Sequence, residues 1–337
     1  MAAFGGRTGV GARENESLKA GEMNRAFKTA LKRGMFRLHK VGDRLGVHVL
    51  PVHYYSPVAS IAELERTQEV WAKRSSMAGI NVDLDEQVAT LERMCLAHQD
   101  EFRGNDVYRK AQAEGFGPGY GYIEAQALHG VLRSLKPRKV IEVGSGVSTV
   151  GMLAALRANE EETGQGFEIT CVEPYPSAPL RALSGVTLLA KRVQTVEVDL
   201  FETLGAGDLL FIDSSHVVRP GSDVNFLFLE VLPRLRAGTV VHIHDINFPY
   251  DYARATLQTF FQWSESSLLQ AFLVNNSKAR ILFCLSMLHY DRPEALRRVF
   301  PEYRGQENRG GLKGDKYKPF EHPRDEHFPS SIYIEIL

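Results

Sequence analysis

The chain has 337 residues, of which 44% are hydrophobic and 24% charged, and its formal net charge is −1. This balance is typical of a globular protein and argues against a nucleic acid or an anionic membrane as partner. The three cysteines form no CxxC pair, which argues against a disulfide scaffold or a cysteine-based zinc site and favours a reducing compartment. We therefore expect a cytoplasmic protein. Its longest apolar stretch is too short for a membrane span, and no apolar signal segment follows the N-terminus.

The N-terminal region begins with residues 1 to about 22, which are glycine-rich and without periodicity, so we expect a loose arm there. An amphipathic helix follows, because Phe27, Leu31, Met35 and Leu38 recur at helical spacing and basic residues fill the opposite face. Such a helix could contact a membrane surface or an acidic partner. Packing against its own protein or a second subunit is the simpler explanation, and we predict a homodimer.

Residues 1–114 are predicted to form an N-terminal arm and a mostly helical cap. An extended connector covers 47–60, and helical patterns cover 61–75 and 84–104. From Gly115 the pattern changes, because a glycine-rich hinge leads into an apolar-periodic helix that ends at Pro137. Residues 115–337 are predicted to form the second domain.

Strands and helices alternate through this second domain. The predicted strands cover Lys139–Val143, Phe167–Val172, Asp208–Ile212, Thr239–Ile243 and the C-terminal SSIYIEIL, and the predicted helices cover Ser148–Asn159, Asp223–Arg236 and Tyr250–Trp263. Short apolar strands between amphipathic helices indicate an α/β fold with a parallel sheet covered on both faces. Ligands of such sheets bind at the carboxyl ends of the strands.

The loop after the first strand, in KVIEVGSGVSTVGML, carries the sequence GxG at Gly144 and Gly146. A dinucleotide fingerprint needs a third glycine where this chain has Thr149. Glu142, two residues before Gly144, is predicted to lie at the mouth of the site, where it would repel a pyrophosphate but suits the ammonium and sulfonium of S-adenosylmethionine. Glu173 ends the second strand, where it can accept hydrogen bonds from both ribose hydroxyls. The first strand, Glu142, the GxG loop, Ser148-Thr149 and Glu173 together favour S-adenosylmethionine as the ligand. The alternative is a structural turn in an unrelated α/β protein.

VIEVGSGVST and CVEP resemble the first two motifs of the class I S-adenosylmethionine-dependent methyltransferases. YGYIEAQALHGVLRSLKP resembles the lead-in helix of the small-molecule O-methyltransferases of the catechol and caffeoyl-coenzyme A type. The resemblance covers roughly residues 115–263 and the last strand, and it leaves the N-terminal cap unexplained. It implies a Rossmann-like sheet of seven strands with the last one antiparallel. Cofactor contacts are predicted from Tyr122, Glu142, Gly144, Ser145, Gly146, Ser148, Thr149, Glu173, Pro174, Asp213, Ser214 and His216.

Polar side chains also end two later strands. LLFIDSSHV places Asp213 and His216 after one strand, and VVHIHDINF places His244 and Asp245 after the next. These four residues are the predicted catalytic groups, since transfer to a hydroxyl requires an aligned acceptor and removal of its proton. His242 lies deeper in its strand, and we expect it to be packed there without a chemical role.

Two ways of handling that proton remain open. In catechol-type enzymes, a divalent metal is held by Asp at one strand end and Asp-Asn at the next. By resemblance, Asp213 and Asp245 are ligands here, but Ile246 replaces the asparagine and cannot bind metal. His244 could substitute for it and would favour zinc, iron or manganese. The alternative has no metal, with His216 or His244 as general base.

The sequence thus predicts an enzyme that methylates a small-molecule acceptor, at oxygen, with S-adenosylmethionine as donor. Two alternatives stay open: a metal-dependent oxygenase or hydroxylase on a methyltransferase-like fold, and a non-catalytic S-adenosylmethionine-binding partner subunit. The acceptor cannot be named, because caps and loops that vary with substrate build its pocket.

Overall fold

The protein is described here by a computed structural model that covers residues 10–117, 119–254, 256–259, 261–306 and 326–337, with side chains from residue 27. The chain divides into two compact units, with the boundary between Glu65 and Arg66. The domain boundary predicted after residue 114 falls within the second unit. Of the arm predicted over 1–22, residues 1–9 lie outside the described residues.

The first unit is dominated by one long helix, α1 (Val10–Arg44), and ends in α2 (Ile61–Arg66). The predicted amphipathic helix is therefore confirmed, and it begins earlier than expected, within the region predicted as a loose arm. Its apolar stripe is exposed, with 68% of Phe27, 57% of Leu31 and 49% of Leu38 accessible to solvent. The segment 47–60 contains only turns and irregular backbone, as predicted.

The second unit is built on one seven-stranded sheet. Its strands are β1 (Lys139–Val143), β2 (Glu168–Val172), β3 (Thr187–Leu189), β4 (Leu209–Ile212), β5 (Val240–Ile243), β6 (Ala279–Cys284) and β7 (Ile332–Ile336). The order across the sheet is β3-β2-β1-β4-β5-β7-β6, and β7 is antiparallel to both of its neighbours. The Rossmann-like sheet with an antiparallel last strand is thus confirmed, while β3 and β6 were not predicted.

The helices of this unit precede, connect and follow the strands. They are α3 (Gln68–Trp71), α4 (Leu84–Cys95), α5 (Gln99–Phe102), α6 (Asp106–Ala113), α7 (Tyr122–Leu135), α8 (Val147–Thr163), α9 (Ala178–Ala182), α10 (Asp223–Phe226), α11 (Glu265–Leu273), α12 (Leu285–Asp291) and α13 (Pro293–Val299). After α10 the chain continues as a π turn over Leu227–Val231 and a 3₁₀ turn over Leu232–Arg234, where Pro233 stands. Within the described residues, no helix has the length and hydropathy needed to cross a membrane.

Each face of the sheet is buried under its own hydrophobic core. Successive strand residues point to opposite faces, so Ile141, Leu210 and Val241 belong to one core, while Val140, Leu209 and Val240 belong to the other. Because both faces are covered, the strands are almost continuously apolar, which is the pattern seen in the sequence.

One row of side chains crosses the sheet face on which Val140, Leu209 and Val240 lie, and it explains why Glu142 and His242 are buried. Strand pairing aligns Cys171, Glu142, Phe211, His242 and Tyr333 side by side. Glu142 and His242 are therefore both fully buried in the sheet. His242 stacks on Tyr333 with ring centroids 4.2 Å apart and meets Phe211 at 4.6 Å. The expectation of a packed His242 is confirmed.

The helix predicted over Tyr250–Trp263 is wrong for the described residues, which form turns, and a helix begins only at Glu265. Threonine side chains bond locally to the backbone there: Thr256 Oγ1 donates to the Ala253 carbonyl at 2.6 Å, and Thr259 Oγ1 accepts from Phe261 N–H at 3.0 Å. Such bonds compete with helical ones.

We predict that the exposed stripe of α1 joins two copies of the chain into a homodimer, because contiguous exposed apolar surface favours association. Replacing Leu31 and Leu38 together by serine should turn a dimer into a monomer in light scattering. The matched control replaces Lys28 and Lys32, which lie outside the stripe, by serine and should stay dimeric. A monomeric wild-type protein would contradict the prediction.

Candidate active site

The glycine loop lies directly against the end of a neighbouring strand. Gly144 has φ +82°, and a Cβ atom there would lie 1.7 Å from the carbonyl oxygen of Asp213. The loop is fixed further because Gly144 N–H donates to the Val172 carbonyl at 3.0 Å and Asp213 N–H donates to the Val143 carbonyl at 2.8 Å. Only glycine fits this approach, and it brings the ends of β1, β2 and β4 together.

Glu142 shapes the loop from inside the protein. Its carboxylate accepts hydrogen bonds from Ser148 Oγ and Thr149 Oγ1, both at 2.6 Å, and Thr149 Oγ1 accepts one from Gly146 N–H at 3.0 Å. Glu142 is fully buried, so the prediction that it lies at the mouth of the site is wrong. The cause is the alternation of β1, which points Glu142 into the sheet face, where its bonds tie β1 to the first turn of α8.

Glu173 follows β2 and faces the loop from the other side. Its Oε2 accepts from Ser145 N–H at 3.3 Å, and its Oε1 accepts from Tyr175 N–H at 2.7 Å. The side chain is half-buried, and Pro174 follows it, also half-buried. A carboxylate held by two backbone amides keeps free lone pairs for further donors, such as the hydroxyls of a ribose.

The predicted catalytic groups converge at the ends of β4 and β5. Single ligand atoms of Asp213, His216 and Asp245 all lie within 4.8 Å of one another. His216 Nε2 is 3.4 Å from Asp213 Oδ1 and 3.5 Å from Asp245 Oδ2. The convergence expected from two neighbouring strand ends is therefore present.

His244 approaches the same two carboxylates from the other side. Its Nδ1 lies 3.2 Å from Asp213 Oδ1 and 3.6 Å from Asp245 Oδ2. The ring of Tyr120 packs on it, with centroids 4.9 Å apart. Asp245 Oδ1 also accepts a hydrogen bond from Ser330 Oγ at 2.9 Å, so β7 contributes to the site through the residues just before it.

Two buried glutamates that the sequence analysis did not identify complete this arrangement. Glu265, at the start of α11, places Oε2 2.8 Å from His216 Nδ1, and Glu124, in α7, places Oε1 3.3 Å from His244 Nε2. Neither lies near the strand-end motifs in sequence, so only the fold brings them together. Glu124 stands in YGYIEAQALHGVLRSLKP, the segment that resembles the lead-in helix, and this resemblance was the only indication of it in the sequence.

Charge sets the protonation of the two histidines. Burial lowers the pKa of His216, but hydrogen bonds with Asp213 and Glu265 outweigh it and raise the pKa to about 10. Burial likewise opposes the charged form of His244, while the negative charges of Asp245 and Asp213 raise its pKa. Burial raises the pKa of Asp213, and the two imidazoliums more than reverse this, leaving it lowered. The strand ends thus form a coupled network of anions and imidazoles.

The donor set fits a divalent cation at this point. Carboxylate oxygens and imidazole nitrogens are ligands of zinc, manganese, iron and cobalt. Ile246, by contrast, is fully buried in the hydrophobic core, in agreement with its inability to act as a ligand. Next to Asp213 in the chain, the buried Ser214 Oγ makes no hydrogen bond with described residues.

Tyr122, a predicted cofactor contact, packs against Glu302 and His327. Its hydroxyl donates to Glu302 Oε1 at 3.0 Å, and its ring stacks on His327 with centroids 5.6 Å apart. Its predicted contact with the cofactor stays a prediction, as do those of the loop residues.

Comparison with known proteins gives a match over this part of the chain. Residues 141–246 match the family described as methyltransferase domain. This segment holds the glycine loop, Glu173 and the strand-end Asp and His residues. An uncharacterized protein of Archaeoglobus fulgidus is 28% identical over 192 residues, which are 50% of this chain and 80% of the relative.

Solved structures similar to this chain include two of cmcI. The one with Mg and SAM is 22% identical, covers 46% of this chain and 62% of that chain, and gives a TM-score of 0.29. The one with SAH is 20% identical, covers 46% of this chain and 66% of that chain, and gives a TM-score of 0.30. The chain spans less than two thirds of the length of either.

Gly144→Ala should destabilise the protein by at least about 1–3 kcal/mol from its positive φ alone, with the clash on Asp213 added. Gly151→Ala is the matched control, since a Cβ at this position of α8 meets no atom within 4 Å, and it should stabilise by about 0.5–1 kcal/mol. Urea unfolding measures both. Equal stability of the two variants would show that the close approach of the loop is not real.

The pKa of Glu142 predicts a pH effect on stability. Burial raises this pKa from 4.5 to about 7, against hydrogen bonds from Ser148 and Thr149. The folded state therefore holds the proton more tightly than the unfolded state, and the stabilisation present below pH 4.5 is lost as the pH rises towards 7.

Relative to Glu142→Gln, the wild-type free energy of unfolding should fall by up to about 3 kcal/mol across that interval. Denaturant titrations at several pH values measure it, with the exposed Glu168→Gln as control. A pH profile that Glu142→Gln does not alter would contradict the assignment.

Proposed function

We propose that this chain transfers a methyl group from S-adenosylmethionine to an oxygen of a small-molecule acceptor. The observation that carries the proposal is the contact of Gly144 with Asp213, because it joins the donor loop to the strand-end cluster. A ligand held over Gly144 has its reactive end beside Asp213, and an acceptor bound at Asp213 and Asp245 lies within reach of it. Proximity of this kind supplies much of the rate of a displacement reaction.

The donor side of the site selects an adenosyl ligand. Glu173 at the end of β2 offers its carboxylate to the ribose hydroxyls, as in other sheets that bind nucleosides at strand ends. The loop amides of Ser145 and Gly146 already have side-chain partners, Glu173 and Thr149. The loop is thus preorganised by the protein itself, with less of its amide surface left for a pyrophosphate.

The acceptor side provides groups for alignment and proton removal. The acceptor oxygen uses a lone pair to form the bond to the methyl carbon while the carbon–sulfur bond breaks and its electron pair stays on sulfur. The acceptor's hydroxyl proton passes to the carboxylate of Asp245 and then to solvent. The products are the methyl ether and S-adenosylhomocysteine.

A divalent metal, when bound, lowers the pKa of an acceptor hydroxyl and orients it. Asp213, Asp245 and the histidines that face them would hold it. The resemblance to catechol-type enzymes supports this arrangement, and the histidines mark the difference from their Asp/Asp-Asn set.

The methyltransferase-domain match over 141–246 supports methyl transfer over an oxygenase on the same fold. The strand-end cluster supports an enzyme over a non-catalytic partner, because a cluster of ionisable groups with perturbed pKa values is expensive to bury and is typical of catalytic sites.

Two substitutions should separate donor binding from turnover. Glu173→Ala should weaken S-adenosylmethionine binding by about 1–3 kcal/mol in calorimetry, because it removes charge-assisted hydrogen bonds. Asp245→Ala should leave that affinity within a few fold and lower turnover by ~10²-fold or more. Turnover is followed by mass spectrometry of metabolite pools, as gain of one methylene and formation of S-adenosylhomocysteine.

Circular dichroism of both variants checks that the fold is retained. If Glu173→Ala binds S-adenosylmethionine as tightly as the wild type, the ribose assignment is wrong. If Asp245→Ala turns over at the wild-type rate, the cluster has no catalytic role.

A further inference from the structure

We propose that two glutamates outside the strand-end motifs position the cluster's histidines as ligands of one divalent metal. Glu265 holds the ring of His216. Glu124 does the same for His244. The metal site itself can be tested without any acceptor, and only its use in methyl transfer rests on the proposed function.

The first pair directs one nitrogen at the two aspartates. His216 Nδ1 meets Glu265 Oε2 at 2.8 Å, so Nδ1 is occupied by this contact and Nε2 is the nitrogen that a metal would bind in place of a proton. Nε2 in turn faces both Asp213 and Asp245 at 3.4–3.5 Å. A carboxylate that fixes the far nitrogen of a histidine is the usual outer support of a metal ligand.

Glu124 fixes the ring of His244 in a similar way, but through Nε2 rather than Nδ1. His244 Nε2 lies 3.3 Å from Glu124 Oε1, which leaves Nδ1 directed at Asp213 and Asp245. Glu124 Oε1 is itself held by Ser330 N–H at 2.8 Å. Both histidines therefore present a nitrogen to the same two carboxylates, each from a ring whose orientation is fixed by a glutamate.

The positions are also fixed by the backbone. His216 and Asp245 both adopt left-handed conformations, with φ +59° and +56°. Such conformations are strained for residues other than glycine and persist only where the surroundings hold them. The His216 carbonyl accepts hydrogen bonds from Ser264 N–H at 2.9 Å and Glu265 N–H at 3.2 Å. The start of α11 therefore contacts both the backbone and the ring of this histidine.

Burial and charge point to a cation. Glu265 is 1% exposed and Glu124 5%, and Glu265 Oε1 makes no hydrogen bond with described residues. Together with the two aspartates, the cluster holds four carboxyl groups against two imidazoles. A divalent ion bound between them would offset part of the negative charge of these carboxyl groups.

The ligand types indicate which ion. The atoms that all lie within 4.8 Å of one another come from Asp213, His216 and Asp245. Imidazole nitrogen beside carboxylates favours zinc, cobalt, manganese or iron, whereas magnesium prefers an all-oxygen set. The site should therefore bind Co²⁺ more tightly than Mg²⁺, in contrast to an Asp/Asp-Asn site.

The test uses Co²⁺ as the probe, because its visible absorption reports the coordinating atoms. Chelator-treated full-length protein is first titrated with S-adenosylmethionine and then with Co²⁺, with Mg²⁺ as competitor. We expect one Co²⁺ per chain, with little competition from Mg²⁺. Glu265→Ala and Glu124→Ala should each weaken Co²⁺ binding by ~10–100-fold and shift its absorption band.

Glu265→Gln keeps an acceptor oxygen for His216 and should recover part of the lost affinity, which a merely structural role does not predict. The matched control is Glu101→Gln, which changes another glutamate–histidine pair, 2.9 Å from His129 Nε2, and should leave Co²⁺ binding unchanged. Thermal unfolding of each variant identifies any that fail to fold.

Unchanged Co²⁺ affinity and spectrum in folded Glu265→Ala and Glu124→Ala would overturn the inference. So would a wild-type protein that binds S-adenosylmethionine but no Co²⁺, and that result would leave the proposed methyl transfer standing. Co²⁺ binding without S-adenosylmethionine binding would contradict the proposed function and support the metal site.

Discussion

The approach of Gly144 to the carbonyl oxygen of Asp213 is the constraint on which the site depends. It requires a residue without a side chain at positive φ, and it brings the loop after β1 into contact with the end of β4. The sheet order, with β1 beside β4 and β4 beside β5, then places the polar ends of three strands along one edge. In the proposed function, the donor at the loop and the acceptor at the strand ends are therefore neighbours.

Buried charge is the second feature that organises this edge. Glu142 is satisfied by hydroxyl donors and ties the loop to α8, so its burial serves the loop geometry. The strand-end aspartates instead face imidazoles, whose outer nitrogens meet Glu124 and Glu265. Groups of this kind are costly to bury without compensation, and their mutual orientation is the basis of our proposal that they hold a cation and an acceptor.

Much of the fold follows from local sequence pattern. Continuous apolar strands and the glycines after β1 predicted a parallel sheet and the edge where the candidate site lies, and alternation in SSIYIEIL predicted a last strand. Its antiparallel direction was implied only by the resemblance to class I methyltransferases. The position of Glu142 was predicted wrongly because strand alternation, rather than proximity to the loop, decides where its side chain points. Tyr250–Trp263 has helical periodicity, but local threonine bonds and packing of Tyr252 on Trp71 override it. Glu265 could not be found, since its partner His216 is 49 residues away.

The central claim is that the loop after β1 binds a methyl donor rather than a dinucleotide. Calorimetric titration of the full-length protein with S-adenosylmethionine, and separately with a nicotinamide dinucleotide, tests it most directly. The structure predicts tighter binding of S-adenosylmethionine, since Thr149 stands where a dinucleotide loop needs glycine and its hydroxyl is bonded to Glu142. Tighter binding of the nicotinamide dinucleotide would contradict the account.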